Sequence, residues 1–598
     1  MPGLSELLER DEKVKDPKQL ADEIMDQFKE AVQYKRSMGY YDTWAECERF
    51  KIGDQWPPPT EKTKDLPRPV VNVIKRIVEQ KTAVVLAENP TLYFYPDEGT
   101  PDEGISEYET QGAELFTQAA KNTWYNVRMD DMNDQAVDLA ATVGTAFSHW
   151  YWDNSIIAGD PSKGTAFIGD IAGEILGPDK VFVGKPDEEE LQKQPWIIIT
   201  SRMLLREARE KYRKTAAELG VNVDEIQPDN DNSNEVYDAL RITQSPKYVN
   251  VIHRYWKTWQ GPRCFVNYAV VINGKVVRLE TPLYEGDLYP LAVFRWNMQQ
   301  GAFYGIGEVH GLIPNQKQIN RMLAIYLLSL YTVGWPKIKY RPGVVDPSQF
   351  DNMPGGFIAD LDPQLNGWKY EQPQSIASGN VTSLLDQLLS ISKELSGANE
   401  AFLGEAPGAD LNASAIMALQ RAANTPVERI RKRFYRYLED VARIWELFYK
   451  RFYQEERVIR IRGAEKPEGF IYFRGTDYYD LRFGVKVQAG AGSVYSEILL
   501  ISELKEMLAK GYISFDEYLE MLPKQAFPFA EKILEKRRQM AARQAQMQAM
   551  MAQVQAQAGG QIPPNMPPMP VPMMIGGGEN GQGHPMMIGG GENGQGQG

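Results

Sequence analysis

Residues 312–333 read LIPNQKQINRMLAIYLLSLYTV, and residues 381–395 read VTSLLDQLLSISKEL. Both stretches repeat apolar side chains every three or four residues, which predicts two helices. The first stretch is apolar almost all round, because Ile325 and Leu328 lie off its main apolar face. A helix of this kind is normally covered on all sides. We therefore expect other protein elements to surround it.

The segment between the two helices, residues 334–374, is rich in proline and glycine. Short β-strands are predicted within it at residues 337–340 and 356–358, where apolar and aromatic residues cluster. The two helices should therefore flank a small separate substructure.

A third, longer helix is predicted after a loop at residues 398–411. Apolar residues step by three or four from Ile416 to Phe448. At a rise of about 1.5 Å per residue such a helix is on the order of 60 Å long. Pro426 lies inside it and is expected to kink it one turn upstream. A helix of this length suits a large assembly better than a compact globule.

The sequence before residue 312 changes from helical to strand periodicity. Helical spacing begins at Asp16-Pro17, a cap followed by proline, and continues to about Ser148. From His149 to Pro290 strand patterns prevail, and Asn273-Gly274 between two apolar pairs is a strong hairpin signal. We predict an α+β region here.

Composition excludes several classes of protein. A chain of 598 residues is too long for a single hydrophobic core. With 66 basic and 80 acidic residues its net charge is −14, so the whole chain is unsuited to wrapping nucleic acid tightly. Cys47 and Cys264 cannot build a disulfide framework, and four scattered histidines leave too few ligands for a structural zinc site. The apolar stretch at 322–335 is too short to span a bilayer.

Catalytic signatures are missing from the sequence: it contains no phosphate-binding GxxxxGK[ST], no HExxH and no GxSxG motif. The best enzymatic candidate is the set Asp130, Asp134 and Asp138, spaced to lie on one helix face. Three such carboxylates could hold a divalent metal for phosphoryl chemistry. A solvated acidic face near a helix start explains them equally simply. We favour the second interpretation and predict no catalytic residue, metal or cofactor.

Basic residues offer two further candidates. Lys317 and Arg321 lie one turn apart and could form a cationic rung facing phosphates, or simply a solvated helix end. The long helix carries a basic run from Arg429 to Arg436 next to Glu428 and other acids, which favours ion pairs.

Six short segments, taken in order, point to a family. They are WAECERFKIGDQW at 44–56, RPVVNVI at 68–74, ENP at 88–90, YGIGE at 304–308, IPNQKQIN at 313–320 and NASAI at 412–416. In this order and spacing they resemble the portal proteins of tailed bacteriophages, in particular the short-tailed lineage. The resemblance covers roughly residues 40–537, and a repeated Gly-rich motif at 572–583 and 585–596 lies outside it.

The resemblance implies a mixed, mainly α fold with an α+β wing, in which copies form a ring around a central channel. The implied parts are an N-terminal helical arm (1–39), a wing (40–310), stem helix 1 (311–333), a clip (334–377), stem helix 2 (378–397), a tunnel loop (398–411), a long kinked helix (412–453), wing return strands (454–494), a crown (495–540), a candidate barrel helix (541–558) and a Gly/Pro/Met-rich tail (559–598).

The function implied by the resemblance is that of a non-enzymatic conduit. A homododecamer at one capsid vertex would pass double-stranded DNA during packaging and ejection, docking the terminase large subunit and later tail adaptors. Major capsid and scaffolding proteins would be further partners, in a virion assembled in the host cytoplasm. The channel candidates are Lys317, Arg321, Lys393, Asn399, Glu400 and Glu405, and the docking candidates in the clip are Lys337, Lys339 and Arg341.

Two other functions remain as alternatives. One is a different head–tail adaptor or minor capsid protein, although adaptors are usually much shorter and lack a long kinked helix. The other is a metal-dependent nuclease using Asp130, Asp134 and Asp138.

Overall fold

The computed structural model describes residues 16–97, 106–158, 167–228, 248–334, 337–349, 356–371, 378–395, 413–460 and 470–489, and parts of 501–547 (501, 504–522, 533–534, 536–540, 543 and 546–547). The chain divides into two units, Met1–Leu499 and Leu500–Gly598. None of the helices in the described parts combines the length and the apolar character that a membrane crossing requires.

The first unit begins with helices. They are α1 (Pro17–Ser37), α2 (Tyr40–Ile52), α3 (Val73–Leu86), α4 (Glu107–Asn126) and α5 (Met129–Val143), with strand β1 (Pro90–Pro96) between α3 and α4. The Asp16 side chain caps α1 by accepting from the backbone N–H of Lys18. The prediction of helix up to about Ser148 is wrong: α5 ends at Val143, because Gly144 takes a φ of 99° and the chain then becomes a strand.

Among the described residues before 300 there are nine strands, and eight of them follow α5. They are β2 (Thr145–Ala158), β3 (Phe167–Leu176), β4 (Val181–Val183), β5 (Trp196–Leu204), β6 (Tyr248–Gln260), β7 (Arg263–Ile272), β8 (Lys275–Glu285) and β9 (Leu291–Arg295), with α6 (Leu205–Glu218) after β5. They form a sheet of order β3-β2-β9 and a sheet of order β4-β5-β6-β7-β8, both antiparallel. The predicted hairpin is confirmed, with Asn273 and Gly274 at φ 49° and 72° in its turn.

Residues 308–452 contain three long helices in the described part of the chain. They are α7 (Glu308–Gly334), α8 (Ser378–Leu395) and α9 (Ala413–Phe452). Between α7 and α8 lie β10 (Lys337–Tyr340), β11 (Phe357–Ala359) and β12 (Trp368–Glu371), in the order β11-β10-β12. All three predicted helices are confirmed.

Three further strands follow α9 within the described part of the first unit. They are β13 (Arg457–Arg460), β14 (Phe470–Phe473) and β15 (Phe483–Ala489). β15 pairs antiparallel with β1, which joins two segments that are far apart in sequence. In the second unit, α10 (Phe515–Met521) begins with a capping box between Ser514 and Glu517.

Two apolar clusters hold the first unit together. In the larger one α9 packs its buried aromatic face against the sheets, with Trp445 edge-on to Trp150 at 5.0 Å between ring centroids. In the smaller one α1 covers the five-stranded sheet, where Phe28 meets Phe182 at 5.1 Å. Burial of these aromatic rings is the main force that fixes α1 and α9 on the sheets.

Candidate functional site

The segment before α7 crosses another backbone at very close range. A Cβ added to Gly307 would lie 2.3 Å from the Thr142 carbonyl oxygen, and one added to Gly144 would lie 2.2 Å from the Gly305 carbonyl oxygen. The backbone N–H of Gly305 donates to the Thr145 hydroxyl at 2.8 Å. Side chains larger than hydrogen cannot fit here, which explains the Gly-x-Gly in the 304–308 segment.

The start of α7 is also held by a buried polar junction. The Gln316 side chain donates to the Val71 carbonyl at 2.6 Å and accepts from the Val73 N–H at 3.2 Å. Asn320 donates to the Gln55 side-chain oxygen at 2.7 Å. Gln316 and Asn320 are 1% and 2% exposed, so unpaired amides here would be costly. Three of the six segments that carry the resemblance thus meet at one point.

Helix α3 connects α7 to α9. In its last turns Lys81 forms a buried ion pair with Glu308, the first residue of α7, at 2.7 Å. Just beyond α3, Glu88 pairs with Arg431 of α9 at 3.0 Å and also accepts from Tyr435. Within the basic run of α9 the predicted ion pairing is found for Arg431, which also reaches Glu428 at 3.2 Å, whereas Arg433 donates to the Trp296 carbonyl.

Helices α7 and α8 pack on each other but leave large apolar side chains uncovered. On α7 Ile325 is 45% exposed, Leu328 40% and Tyr331 50%, and on α8 Leu384 is 42% exposed. The expectation that α7 is covered on all sides is therefore not met within one chain. We use the name apolar stripe for the exposed apolar residues that share one side of each helix, which are Ile325, Leu328 and Tyr331 on α7 and Leu384 and Ile391 on α8.

Three of the six channel candidates lie among the described residues, and their surroundings differ. Lys317 is not an unpaired cation, because it forms an ion pair with Glu46 of α2 at 2.6 Å. Arg321 lies on the exposed face of α7, and Lys393 is half-buried in the last turn of α8. Asn399, Glu400 and Glu405, with the whole loop 398–411, lie outside the described residues. The role of these residues in a channel stays a prediction.

Pro426 lies inside α9, which runs as one helix from Ala413 to Phe452. The predicted kink at Pro426 stays a prediction.

The three aspartates of α5 do not form a metal site. Asp138 pairs with Lys51, Asp130 accepts from the Trp124 indole at 2.9 Å, and Asp134 points to solvent. Within the described ranges no group of three or more His, Cys, Asp or Glu side chains converges as metal ligands would.

The small sheet between α7 and α8 has two chemically different faces. The antiparallel register places Ile338 opposite Tyr370 and Tyr340 opposite Trp368, which makes one face apolar and aromatic. The other face carries Lys337, Lys339, Lys369 and Glu371. The sequence predicts Lys337, Lys339 and Arg341 as docking residues, and this role stays a prediction. The sequence interpretation missed β12 and Lys369, although the alternation Trp-Lys-Tyr-Glu at 368–371 is a strand signal.

Two histidines lie inside hydrogen-bonded networks of the sheets. His253 contacts the Tyr268 and Ser201 hydroxyls at 2.7 and 3.1 Å, and burial lowers its pKa to about 3. His149 contacts Glu174 at 3.0 Å and the Tyr255 hydroxyl at 2.9 Å. The hydrogen bond from His149 holds the pKa of Glu174 below its usual value. Both histidines serve packing and orientation in the fold.

A family model described as phage P22-like portal protein matches residues 25–566, which is well over half of the chain. A comparison with curated proteins gave no match.

Proposed function

Because this chain belongs to the phage P22-like portal protein family, we propose that it forms a homododecameric ring at one capsid vertex and that double-stranded DNA passes through the ring during packaging and ejection. A portal protein is a structural part of the phage virion, so the proposed role is a conduit without catalysis. The energy for packaging then comes from a separate terminase motor, and the ring is assembled with capsid and scaffolding proteins in the host cytoplasm.

The apolar stripe of α7 and α8 is the observation that carries this proposal. Several large apolar side chains exposed on one pair of helices are uncommon on monomeric proteins and mark contact surfaces. Head-to-tail contacts between identical copies close into a ring when the rotation between neighbours divides a full turn. In the proposed ring α7 and α8 are the two stem helices, and the stripe of one copy packs against the stem helices of the next copy.

The base of α7 supports the same role. The glycine crossing, the Gln316–Asn320 junction and the Lys81–Glu308 pair fix the direction in which α7 leaves the first unit. A ring needs the same angle in every copy, since a small error would accumulate around the circle. We therefore propose that these buried contacts set the direction of the stem helices.

Electrostatics also suit a conduit. The chain carries a net charge of −14, so a ring of copies repels DNA overall. One exposed face of α8 carries Ser383, Gln387, Ser390 and Glu394, which offer hydroxyl, amide and carboxylate groups. Each Lys or Arg that pairs with a phosphate adds salt-dependent affinity, so a lining with few cations lets DNA slide. We propose that this face of α8 lines the channel, with Lys393 and Arg321 as sparse cations.

Docking is proposed for the segment between the stem helices. Residues 334–377 form the clip, which holds the small sheet and binds first the terminase large subunit and then the tail adaptors. In the same proposal residues 40–310 and 454–494 form the wing, and residues 495–540 form the crown.

Substitution within the apolar stripe tests the proposal. Leu328→Glu places a charge in the stripe and should convert the ring into subunits, because a carboxylate buried in an apolar contact is strongly unfavourable. Ile157→Glu is the matched control, since Ile157 is 67% exposed on the β2–β3 hairpin and outside the stripe. Native mass spectrometry and end-on electron-microscopy averages of both variants and the wild type provide the measurement.

The expected result is a closed ring with a central hole for the wild type and for Ile157→Glu, and free subunits for Leu328→Glu. A wild-type protein that remains a single subunit under all conditions would overturn the proposed function. If the Leu328→Glu variant still forms rings, the apolar stripe is not part of the contact between copies.

A further inference from the structure

We propose that one face of the small sheet is the docking surface for an acidic protein segment. This lysine face comprises Lys337, Lys339, Arg341 and Lys369. The inference rests on the proposed function, because it names the chemistry of the partner that docks on the clip. The partner recognised by this face is a short protein segment rich in Asp and Glu.

The strand register brings the cations together. β10 and β12 are antiparallel, with Lys339 opposite Lys369 and Lys337 opposite Glu371. Side chains alternate between the faces of a strand, so these four lie on one side. Arg341 continues the alternation of β10, and its backbone N–H donates to the Gly367 carbonyl at 2.9 Å. The lysine face thus holds four cations and the Glu371 carboxylate, with Asp360 close enough to act electrostatically on Lys339.

The two carboxylates, Glu371 and Asp360, neutralise only part of the charge of the four cations. Glu371 pairs with Lys339 at 2.9 Å. Within the described part of the chain, Lys337, Arg341 and Lys369 form no ion pair, and Lys337 and Lys369 are exposed. Like charges directly opposite each other on neighbouring strands destabilise a sheet. The Lys339–Lys369 pair therefore costs stability in the free chain, and carboxylates from a partner would remove that cost.

The dimensions of the lysine face favour a peptide segment over a DNA duplex. Four residues at about 3.3 Å each and three strands about 4.8 Å apart give a face of roughly 13 by 10 Å. That area matches one extended segment or one helix about 10 Å wide. The Lys339–Glu371 pair already shows a carboxylate bound at this face. A row of cations gripping phosphates would also hold back DNA in transit.

The opposite face of the sheet has another task. Ile338 is 1% exposed, and Trp368 and Tyr370 contact each other edge-on at 5.2 Å between ring centroids. Of these three, Ile338 supplies buried apolar packing for a sheet that is otherwise too small to be stable, while Trp368 and Tyr370 are 44% and 49% exposed. The lysine face is therefore left for polar recognition.

The test uses the full-length protein and a labelled peptide of alternating Asp and Glu. A peptide of alternating Asn and Gln and a short DNA duplex are the comparison probes. The test variant is Lys337→Ala/Arg341→Ala/Lys369→Ala, which keeps Lys339 and its pair with Glu371. The control variant, Lys18→Ala/Lys62→Ala/Lys64→Ala, removes the same charge from exposed lysines elsewhere. Fluorescence anisotropy measures the Kd, and carbodiimide cross-linking maps the lysines that contact the peptide.

We expect the acidic peptide to lose about tenfold in affinity in the test variant, since three surface ion pairs are lost. The control variant should bind like the wild type, the Asn–Gln peptide should not bind, and cross-links should map to Lys337 and Lys369. An unchanged Kd in the test variant overturns the inference. So does a loss confined to the DNA duplex, which would make the face a nucleic-acid site.

Native mass spectrometry of the same samples shows whether a negative result contradicts this inference or the proposed function. If the protein forms rings but its affinity for the acidic peptide does not depend on the lysine face, only this inference is contradicted. A wild-type protein that never forms a ring contradicts the proposed function instead.

Discussion

At the scale of single residues, Gly307 is the position with the least room for change. An added Cβ would lie 2.3 Å from the Thr142 carbonyl oxygen and 2.8 Å from that of Ala141, both backbone atoms that cannot swing away. We expect Gly307→Ala to lower the free energy of unfolding by about 1–3 kcal/mol, as overpacking of a dense interior does. Urea unfolding followed by tryptophan fluorescence measures the change.

Gly311→Ala is the matched control for Gly307→Ala. Gly311 lies one turn further along α7, and an added Cβ would meet nothing within 4 Å. Alanine inside a helix is favoured over glycine, so this variant should gain about 0.5–1 kcal/mol. Equal effects of the two substitutions would show that the backbone crossing does not constrain Gly307.

His253 gives the fold a predictable response to acid. Burial lowers its pKa from 6.5 to about 3, so the folded protein holds this imidazole neutral while the unfolded chain protonates it near pH 6.5. The unfolded state then binds more protons, and stability falls as the pH drops from about 6.5 towards 3. Charges around it are those of His149, Lys211, Glu174 and Arg278.

His253→Gln removes this titration. Compared with the variant, the wild type should lose stability with a slope approaching about 1.4 kcal/mol per pH unit below pH 6.5. Above that pH the difference in unfolding free energy between the two proteins should be constant. Parallel curves through the acid range, measured by urea unfolding at a series of pH values, would show that His253 is accessible to protons in the folded state.

The sequence alone marks the segment 313–320 but does not show which of its residues form the α7 junction. Gln316 and Asn320 lie among other polar residues there, including Asn315 and Gln318. Their partners Val71 and Gln55 are 245 and 265 residues away. Periodicity reports which face of an element is buried, whereas it carries no information on which distant segment covers that face. The junction therefore required the structure.

At the scale of elements, prediction succeeded where the hydrophobic pattern is long. Helices α7, α8 and α9 and the β7–β8 hairpin are all found as predicted. Helix α6 was missed, because only Ala208, Tyr212 and Ala216 of its residues are buried and its sequence is mostly charged. Strand β4 was missed because its three residues, Val181–Val183, are too few for a periodic signal, whereas β12 was missed although its four residues alternate.

Helix α3 provides the prediction that belongs to this scale. Lys81→Met leaves the Glu308 carboxylate buried without its cation, and it should lower the unfolding free energy by about 3–5 kcal/mol. Adding Glu308→Gln removes the stranded charge, so the double variant should recover part of that loss. A double-mutant cycle by urea unfolding measures the coupling between α3 and α7.

Lys75→Met on the same helix is the control. Its pair with Glu79 is exposed, with an N–O distance of 3.7 Å, so its loss should cost at most about 0.5 kcal/mol. Should Lys81→Met behave like Lys75→Met, the buried pair would contribute nothing to the attachment of α7, and the stem direction would depend on the glycines and the Gln316 junction alone.

At the scale of the whole molecule, the two ends of the chain differ in what they contribute. Helix α1 covers one side of the five-stranded sheet with Leu20, Ile24 and Phe28. Near its end the Lys35 ammonium donates to the carbonyls of Pro178 and Val181 at 2.6 and 2.8 Å, and it lies 3.5 Å from the centroid of the Phe182 ring. The C-terminal segment 559–598 consists largely of Gly, Pro, Met and Gln, a composition with little apolar surface to bury.

Two truncations of similar length test this contrast. Deleting residues 1–38 removes α1, uncovers the apolar side of the sheet around Phe182 and Ile198, and should lower the thermal unfolding midpoint and prevent ring assembly. Truncation after Ala558 should leave both the midpoint and the ring unchanged. Differential scanning fluorimetry and native mass spectrometry report the two quantities. Loss of the ring on truncation after Ala558 would give the glycine-rich repeat a part in assembly, and an unchanged midpoint without α1 would show that the sheet is stable uncovered.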